Sequence, residues 1–131
     1  MPDTPLTKKL VIKPNYRILL LNAPQGYLDN LGTLPAGVTL STHGEGPFDL
    51  VQLFVHQRAE LESKAPTAIQ ALKPDGLLWL SYPKKTSKVP SDLSREVMWE
   101  VLQKFGWQAV TQISIDEIWS ALRFRPASLY S

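Results

Sequence analysis

The chain has 131 residues, of which 44% are hydrophobic, so we expect one domain with a buried core and exclude a wholly disordered protein. Its 14 Lys and Arg residues against 12 Asp and Glu residues give a net charge of +2, too balanced for a dedicated nucleic-acid binder. Because the chain has no Cys, thiolate catalysis, disulfides and Cys-based zinc sites are excluded. The two His residues, His43 and His56, lack a metal-binding spacing, so we predict no metal site.

No targeting or membrane-spanning segment is predicted. Lys8, Lys9, Lys13 and Pro14 interrupt the apolar pattern at the N-terminus, so no signal-peptide core forms. The longest apolar runs, such as 18–21, have four residues, whereas a membrane helix needs about 20. We therefore expect a cytoplasmic protein without membrane contact.

Three short runs are apolar throughout, namely 17–22 (RILLLN), 48–55 (FDLVQLFV) and 77–82 (LLWLSY). Such runs are typical of parallel strands that are buried on both faces. The spacer 56–76 is long enough for a crossover helix and carries an apolar stripe, made of Leu61, Ala65, Ala68, Ile69 and Leu72. Pro66 should kink this helix or begin a second segment, and residues 73–76 (KPDG) predict a turn after it.

The remaining pattern completes a three-layer, Rossmann-like α/β domain with a mostly parallel sheet and a C-terminal antiparallel hairpin. A helical stretch is expected at 27–31 and a short strand at 38–41. A helix is predicted at 92–105, with Asp92 as its N-cap and Gly106 as its C-terminal stop. The segments 107–115 and 118–124 predict two strands joined by Asp116 and Glu117. We expect one domain over 1–131 with an ordered core at about 10–125, and loose ends in the first dozen and last six residues.

Three of these segments together resemble the second half of a class I methyltransferase domain. They are 48–54 (FDLVQLF), 72–76 (LKPDG), which is similar to the Leu-Lys-Pro-Gly-Gly turn before the fifth strand of that family, and 122–124 (LRF). The chain also resembles a small bacterial family of uncharacterised proteins over 17–24 and 48–126, including 81–85 (SYPKK). The resemblance implies a truncated methyltransferase-like fold and no particular activity.

The sequence departs from the methyltransferase pattern where that family holds S-adenosylmethionine. The family has a glycine-rich turn after the first strand, whereas 22–27 (NAPQGY) carries one glycine, and Pro24 removes a backbone donor. The acidic residue that the family places after the second strand is replaced by 41–43 (STH), and the third strand with its helix is missing between 43 and 47. We therefore predict that no cofactor is bound in the usual methyltransferase manner.

Polar residues follow the predicted strands at the edge where open α/β sheets bind ligands. This candidate crevice contains Asn22, Gln25, Tyr27, His56, Arg58, Ser81, Tyr82, Lys84 and Lys85. Its basic character indicates a small anionic ligand or a nucleotide, and the alternative interpretation is a loop of solvated lysines. His56 could be a general base or bond to the start of its own helix, and with no evident nucleophile or carboxylate partner no catalytic residue is assigned.

Trp99 is an outlier on the predicted helix at 92–105, because it lies about 150° from the centre of the apolar stripe. It either packs under a loop or is available to a protein partner or a second copy of the chain. Lys84, Lys85 and Lys88 are too few for useful nucleic-acid affinity.

Three function classes therefore remain open: a non-catalytic binding or regulatory module, which the lost cofactor turn favours; a domain for a small anion or nucleotide; and a residual methyltransferase with His56 or Tyr82 in a chemical role.

Overall fold

The computed structural model describes residues 6–44 and 46–126, and these residues form four helices and six strands. In chain order they are α1 (Leu6–Lys9), β1 (Arg17–Leu21), α2 (Tyr27–Leu31), β2 (Thr39–Ser41), β3 (Phe48–Phe54), α3 (Arg58–Gln70), β4 (Leu72–Pro83), α4 (Arg95–Lys104), β5 (Trp107–Ser114) and β6 (Trp119–Pro126).

The six strands form one sheet in the order β2-β1-β3-β4-β6-β5. β1 pairs in parallel with β2 and β3, and β3 pairs in parallel with β4, whereas β6 runs antiparallel to both β4 and β5. The predicted mixed sheet with a C-terminal antiparallel hairpin is confirmed. Within the described residues β2 is an edge strand and leads to β3 without a helix, as the missing third strand predicts.

Both faces of the central strands are buried, because alternate side chains enter two separate cores. One core lies between the sheet and helices α3 and α4, and includes Leu19, Leu53 and Leu80. The other lies beneath α1 and α2 and includes Phe54 and Trp79. This arrangement explains why the three strands appear in the sequence as apolar runs rather than as alternating patterns.

The first residues of the described chain pack against the second core, so the prediction of a loose N-terminus is wrong for residues 6–12. Leu10 is fully buried and Ile12 nearly so. The backbone oxygen of Leu10 accepts a hydrogen bond of 3.0 Å from the indole Nε1 of Trp79. A buried indole N–H needs such an acceptor, and the N-terminal segment supplies it. The predicted loose ends at 1–5 and 127–131 lie outside the described residues.

Residues 73–76 belong to β4, so the turn predicted there is wrong. Asp49, at a β-bulge in the neighbouring β3, accepts hydrogen bonds from the Lys73 ammonium at 2.7 Å and from the Arg17 N–H at 2.8 Å. Although burial opposes ionisation, these hydrogen bonds and the two positive charges keep the pKa of Asp49 below its usual value. The contacts hold the segment extended beside β3, against the turn propensity of Pro and Gly.

Helix α3 includes Pro66 and continues to Gln70, so no second segment begins at the proline. Helix α4 begins three residues later than predicted, and Asp92 is not its N-cap. The α4 cap is Ser94, whose hydroxyl accepts from the Val97 N–H at 3.2 Å. Gly106 has a left-handed φ of 81° after α4, as its predicted role as a stop requires. Among the described residues no helix is long and apolar enough to cross a membrane.

Candidate functional site

The strand order reverses between β1 and β3, because the chain goes from β1 to one neighbour, β2, and then returns to the other, β3. In open α/β sheets the crevice at such a point, outside the carboxyl ends of the strands, is the usual ligand site. We call the edge formed by the carboxyl ends of β1 and β3 the strand-end crevice. The two residues that follow β1 and β3, Asn22 and Val55, border it.

Asn22 bridges the strand-end crevice. Its side-chain Nδ2 donates to the backbone oxygen of Phe54, the last residue of β3, at 2.8 Å, and to Oε2 of Glu60 at 3.1 Å. Its φ of 62° is in the left-handed region, which Asn tolerates better than most residues. The amide therefore joins the ends of the two strands at the point where a ligand would enter between them.

His56 lies beside the Asn22 bridge and contacts Glu60 and Trp119. Its backbone N–H donates to Oε1 of Glu60 at 2.7 Å, and its ring Nδ1 lies 3.7 Å from the same oxygen. The ring packs edge-on against Trp119, with the centroids 5.1 Å apart. Within the described residues no metal-binding group of three His, Asp or Glu side chains forms around it or elsewhere.

Two of the crevice residues expected from the sequence are in the core, which is a correction to the candidate site. Tyr27 is 4% exposed and its hydroxyl donates to Oε1 of Gln52 at 2.8 Å, while Gln52 Nε2 donates to the buried Ser81 hydroxyl at 3.1 Å. Burial raises the pKa of Tyr27, so its hydroxyl stays protonated. Tyr27 and Ser81 belong to a buried hydrogen-bond chain and cannot contact a ligand at the crevice.

Two further crevice residues are accessible but do not converge on one point. Gln25 is exposed in the turn before α2. Arg58 begins α3, and its guanidinium lies 3.7 Å from Glu62 and 3.5 Å from Glu100 on α4. The positive charge of Arg58 is thus shared between two carboxylates, which weakens it as an anion ligand.

The residues at the strand-end crevice do not fit S-adenosylmethionine. Gly26, with a φ of 85°, is the single glycine of the turn after β1, and it precedes an α2 of only five residues. Thr42 and His43 follow β2, where a carboxylate would be needed for the ribose, and the described residues 41–44 include none. Neither the glycine-rich turn nor the ribose carboxylate is present among the described residues that follow β1 and β2, and the Asn22 side chain is hydrogen-bonded to the end of β3.

Tyr82, Lys84 and Lys85 do come together, at the carboxyl end of β4, along the same edge of the sheet as the strand-end crevice. They line a cavity of about 360 Å³, which we call the Tyr82 cavity. Its other lining residues are Thr86, Ser94, Arg95, Glu96, Gln112 and Ser120. Helix α4 supplies Ser94, Arg95 and Glu96 through its first turn, and β5 supplies Gln112. The lysines predicted for the crevice therefore belong to a separate site near α4.

The Tyr82 cavity is electropositive. Within the described residues Lys84, Lys85 and Arg95 take part in no salt bridge, and the ammonium of Lys84 donates to the Ser114 hydroxyl at 2.6 Å. The pKa of Glu96 is kept below its usual value by hydrogen bonds from the Glu96 backbone N–H and from Ser94, so its carboxylate is ionised. This one negative charge offsets only one of the three positive charges.

Tyr82 itself is 5% exposed, and burial raises its pKa, so the hydroxyl is neutral. The hydroxyl oxygen accepts from Nε2 of Gln112 at 3.1 Å. Since a phenol has one proton to donate, this bond leaves the Tyr82 proton available to an acceptor in the cavity.

Arg95 and Gln112 line the Tyr82 cavity but were not among the site residues expected from the sequence. A prediction of Ser94 rather than Asp92 as the N-cap would have placed Arg95 in the first turn of α4. Gln112 could not be found by alternation from Trp107, because a bulge between Ala109 and Thr111 moves it to the face of Tyr82.

Trp99 is 47% exposed, so about half of its surface stays accessible among the described residues. The neighbouring α4 residues Met98 and Leu102 are fully buried.

A larger cavity of about 660 Å³ lies between α3 and the connection from β2 to β3, and its lining includes His43, Leu19 and Leu21. The cavity contains no charged group among the described residues that line it.

No protein-family model matches the sequence, and no curated protein matches it significantly. Solved structures do match it. A SAM-dependent methyltransferase from Aquifex aeolicus has a TM-score of 0.68 and 10% identity, over 91% of this chain and 86% of that one. The DhpI–SAH complex has a TM-score of 0.62 and 15% identity, over 93% and 82% of the two chains.

A ribosomal protein L11 methylase from Lactobacillus delbrueckii subsp. bulgaricus has a TM-score of 0.60 and 14% identity, over 91% of this chain and 73% of that one. At such identities the likeness concerns the fold alone. The chain therefore has the Rossmann-like fold of the S-adenosylmethionine-dependent methyltransferases.

Proposed function

We propose that this protein is a non-catalytic binding module on a methyltransferase-like scaffold, and that it does not use S-adenosylmethionine. The observation that carries the proposal is the Asn22 bridge, with hydrogen bonds of 2.8 Å to Phe54 and 3.1 Å to Glu60 across the strand-end crevice. A cofactor that displaced the Asn22 side chain would break both bonds, at a cost that its own contacts would need to exceed.

Two further features support the proposal. The turn after β1 has Pro24 where a backbone donor would face the cofactor, and β2 is followed by Ser41, Thr42 and His43 rather than by a carboxylate. Each feature removes one of the contacts through which a nucleoside cofactor is held in this fold.

The test is isothermal titration calorimetry with S-adenosylhomocysteine, with an active methyltransferase as the matched positive control. We expect no saturable heat from this protein at up to about 1 mM ligand. Asn22→Gly removes the bridge and relaxes the left-handed backbone, and it should also fail to bind because the ribose acceptor is still missing. Saturable binding by the unaltered protein would overturn the proposal and would revive the residual-methyltransferase alternative.

A binding module needs an accessible surface, and Trp99 is our candidate for a protein partner or for self-association. Large aromatic side chains are enriched in interface cores, and Trp99 is 47% exposed on α4. If the surface mediates self-association, sedimentation will show a concentration-dependent dimer that Trp99→Ala abolishes and Leu28→Ala, at a similarly exposed Leu28 on α2, does not. A monomer at all concentrations would exclude self-association through Trp99.

A second candidate function, binding of a small anion, is favoured by the three cations of the Tyr82 cavity, none of which is in a salt bridge within the described chain. It is compatible with a non-catalytic module, since the anion would be a ligand rather than a substrate.

A further inference from the structure

We propose that the Tyr82 cavity is a phosphate-binding site that accepts a small phosphate monoester. This inference rests on the proposed function, because it gives the binding module its ligand. The site lies at the end of β4 and the start of α4 and shares no lining residue with the Asn22 bridge, so the two can be tested separately.

The charges of the cavity match a dianion. Lys84, Lys85 and Arg95 contribute three positive charges and Glu96 one negative charge, which leaves an excess of +2 among the charged lining residues. A monoester phosphate carries between one and two negative charges near neutral pH. A carboxylate would neutralise only half of that excess. Phosphate is therefore the better electrostatic partner.

The donors of the cavity come from different segments of the chain, namely the end of β4, the loop after it and the start of α4. Tyr82 is 5% exposed, its oxygen accepts from Gln112 at 3.1 Å, and its proton is left for a ligand oxygen. Arg95 comes from the first turn of α4, where the helix dipole also favours an anion. Lys85 and Thr86 come from the loop that follows β4. The nearly buried Tyr82 distinguishes this cavity from a patch of surface lysines.

The size of the cavity sets the class of ligand. Its volume of about 360 Å³ is at the lower end of small-molecule sites and exceeds what a bare phosphate ion fills. A phosphate with a compact organic substituent uses the space that remains. The same chemistry could come from free phosphate or from the phosphate of a nucleotide, and the titration below separates these sources.

The test is an NMR titration of the ¹⁵N-labelled protein with inorganic phosphate, glycerol 1-phosphate, AMP and adenosine, with chloride at matched ionic strength as the blank. We expect saturable amide shifts at 82–86 and 94–96 with the three phosphate compounds and none with adenosine. Tighter binding of AMP than of glycerol 1-phosphate identifies a nucleotide, and equal or weaker binding of AMP identifies the phosphate group as the determinant. Either result supports the site.

Variants make the assignment specific. Arg95→Gln should weaken phosphate binding about tenfold, and Tyr82→Phe should weaken it about threefold to tenfold, since each removes one donor. Lys104→Gln, in the last turn of the same helix, is the matched control for the loss of one positive charge and should bind as the unaltered protein does. Because Arg95 is exposed, its variant should keep the unaltered melting temperature.

The proposal is overturned if phosphate produces no saturable shifts, if its shifts spread over all lysines, or if Arg95→Gln and Lys104→Gln weaken binding equally. None of these results would bear on the strand-end crevice. Conversely, binding of S-adenosylhomocysteine at 22–26 would defeat the proposed function and leave the phosphate site standing.

Discussion

Asn22 has two properties that no other residue of the crevice combines, a left-handed φ of 62° and a side chain that bonds across two strands. Glycine would supply only the first property, and alanine would supply neither. The residue therefore separates the contribution of backbone strain from that of the bridge.

We expect Asn22→Gly to lower the free energy of unfolding by about 1–2 kcal/mol through loss of the two hydrogen bonds. Asn22→Ala should lower it by about 1 kcal/mol more, because alanine is strained at positive φ. Urea unfolding of the two variants checks both values. An alanine variant as stable as the glycine variant would show that the described φ is wrong.

Tyr27 is a structural residue, although its position after β1 pointed to the crevice. Removing its hydroxyl in Tyr27→Phe leaves Oε1 of the buried Gln52 without its donor. We expect a loss of about 1–3 kcal/mol in the free energy of unfolding at pH 7.

The same residue predicts a pH dependence. Burial raises the pKa of folded Tyr27, so above its ordinary value of 10.0 the unfolded chain releases this proton while the folded protein keeps it. The contribution of Tyr27 to stability is therefore complete below pH 10 and is lost progressively as the pH rises further. Tyr27→Phe should show a shallower fall between pH 9 and 11 in urea titrations, and a fall as steep as that of the unaltered protein would contradict the burial of the hydroxyl.

The surroundings of single side chains were harder to predict from the sequence than the strands and helices. Position after a strand identified Tyr27, Ser81 and Tyr82 alike, yet the first two are in a buried hydrogen-bond chain, whereas Tyr82 lines a cavity. Which of these hydroxyls meets a ligand depends on the side chains of other strands, such as Gln52 and Gln112, and this is not encoded locally.

At the scale of elements, the segment before α4 stabilises the start of α3. Asp92 accepts from the Arg58 N–H at 2.8 Å, and the Ser91 hydroxyl donates to the backbone oxygen of His56 at 2.6 Å. Ser94 alone caps α4 with its side chain. Three residues within the segment 91–94 favour N-caps and serve two different helices, and their sequence does not say which residue serves which helix.

Because Asp92 bonds to α3 and Ser94 caps α4, substitutions at these two positions should loosen different helices. Asp92→Ala should speed amide hydrogen exchange in the first turn of α3, and Ser94→Ala should speed it in the first turn of α4, each with a stability loss of about 1 kcal/mol. Each variant is the control for the other. Faster exchange in α4 on Asp92→Ala would restore the cap that the sequence analysis expected.

For the whole molecule, the sheet was predictable because strand burial and spacer length are properties of long segments. Apolar runs at 17–22, 48–55 and 77–82 with a helix-length spacer indicated parallel neighbours, and the two-residue link at Asp116 and Glu117 indicated the antiparallel hairpin. The extended segment 73–76 was not predictable, because Asp49 of another strand overrides its turn residues.

The ends of the strands also explain where the candidate sites lie. The sheet has the order β2-β1-β3-β4-β6-β5 and its strand-end crevice is bridged by Asn22, whereas three cations that form no salt bridge among the described residues lie at the end of β4 and the start of α4. On our account, the scaffold has kept its fold while its ligand site lies beside α4.

One NMR experiment tests this account most directly, namely S-adenosylhomocysteine added to the ¹⁵N-labelled protein to about 1 mM, followed by glycerol 1-phosphate in the same sample. We predict no shift at 22–26 or 41–44 from the first ligand, and saturable shifts confined to 82–86 and 94–96 from the second. Saturable shifts at 22–26 from S-adenosylhomocysteine would contradict the central claim that the strand-end crevice no longer holds the cofactor.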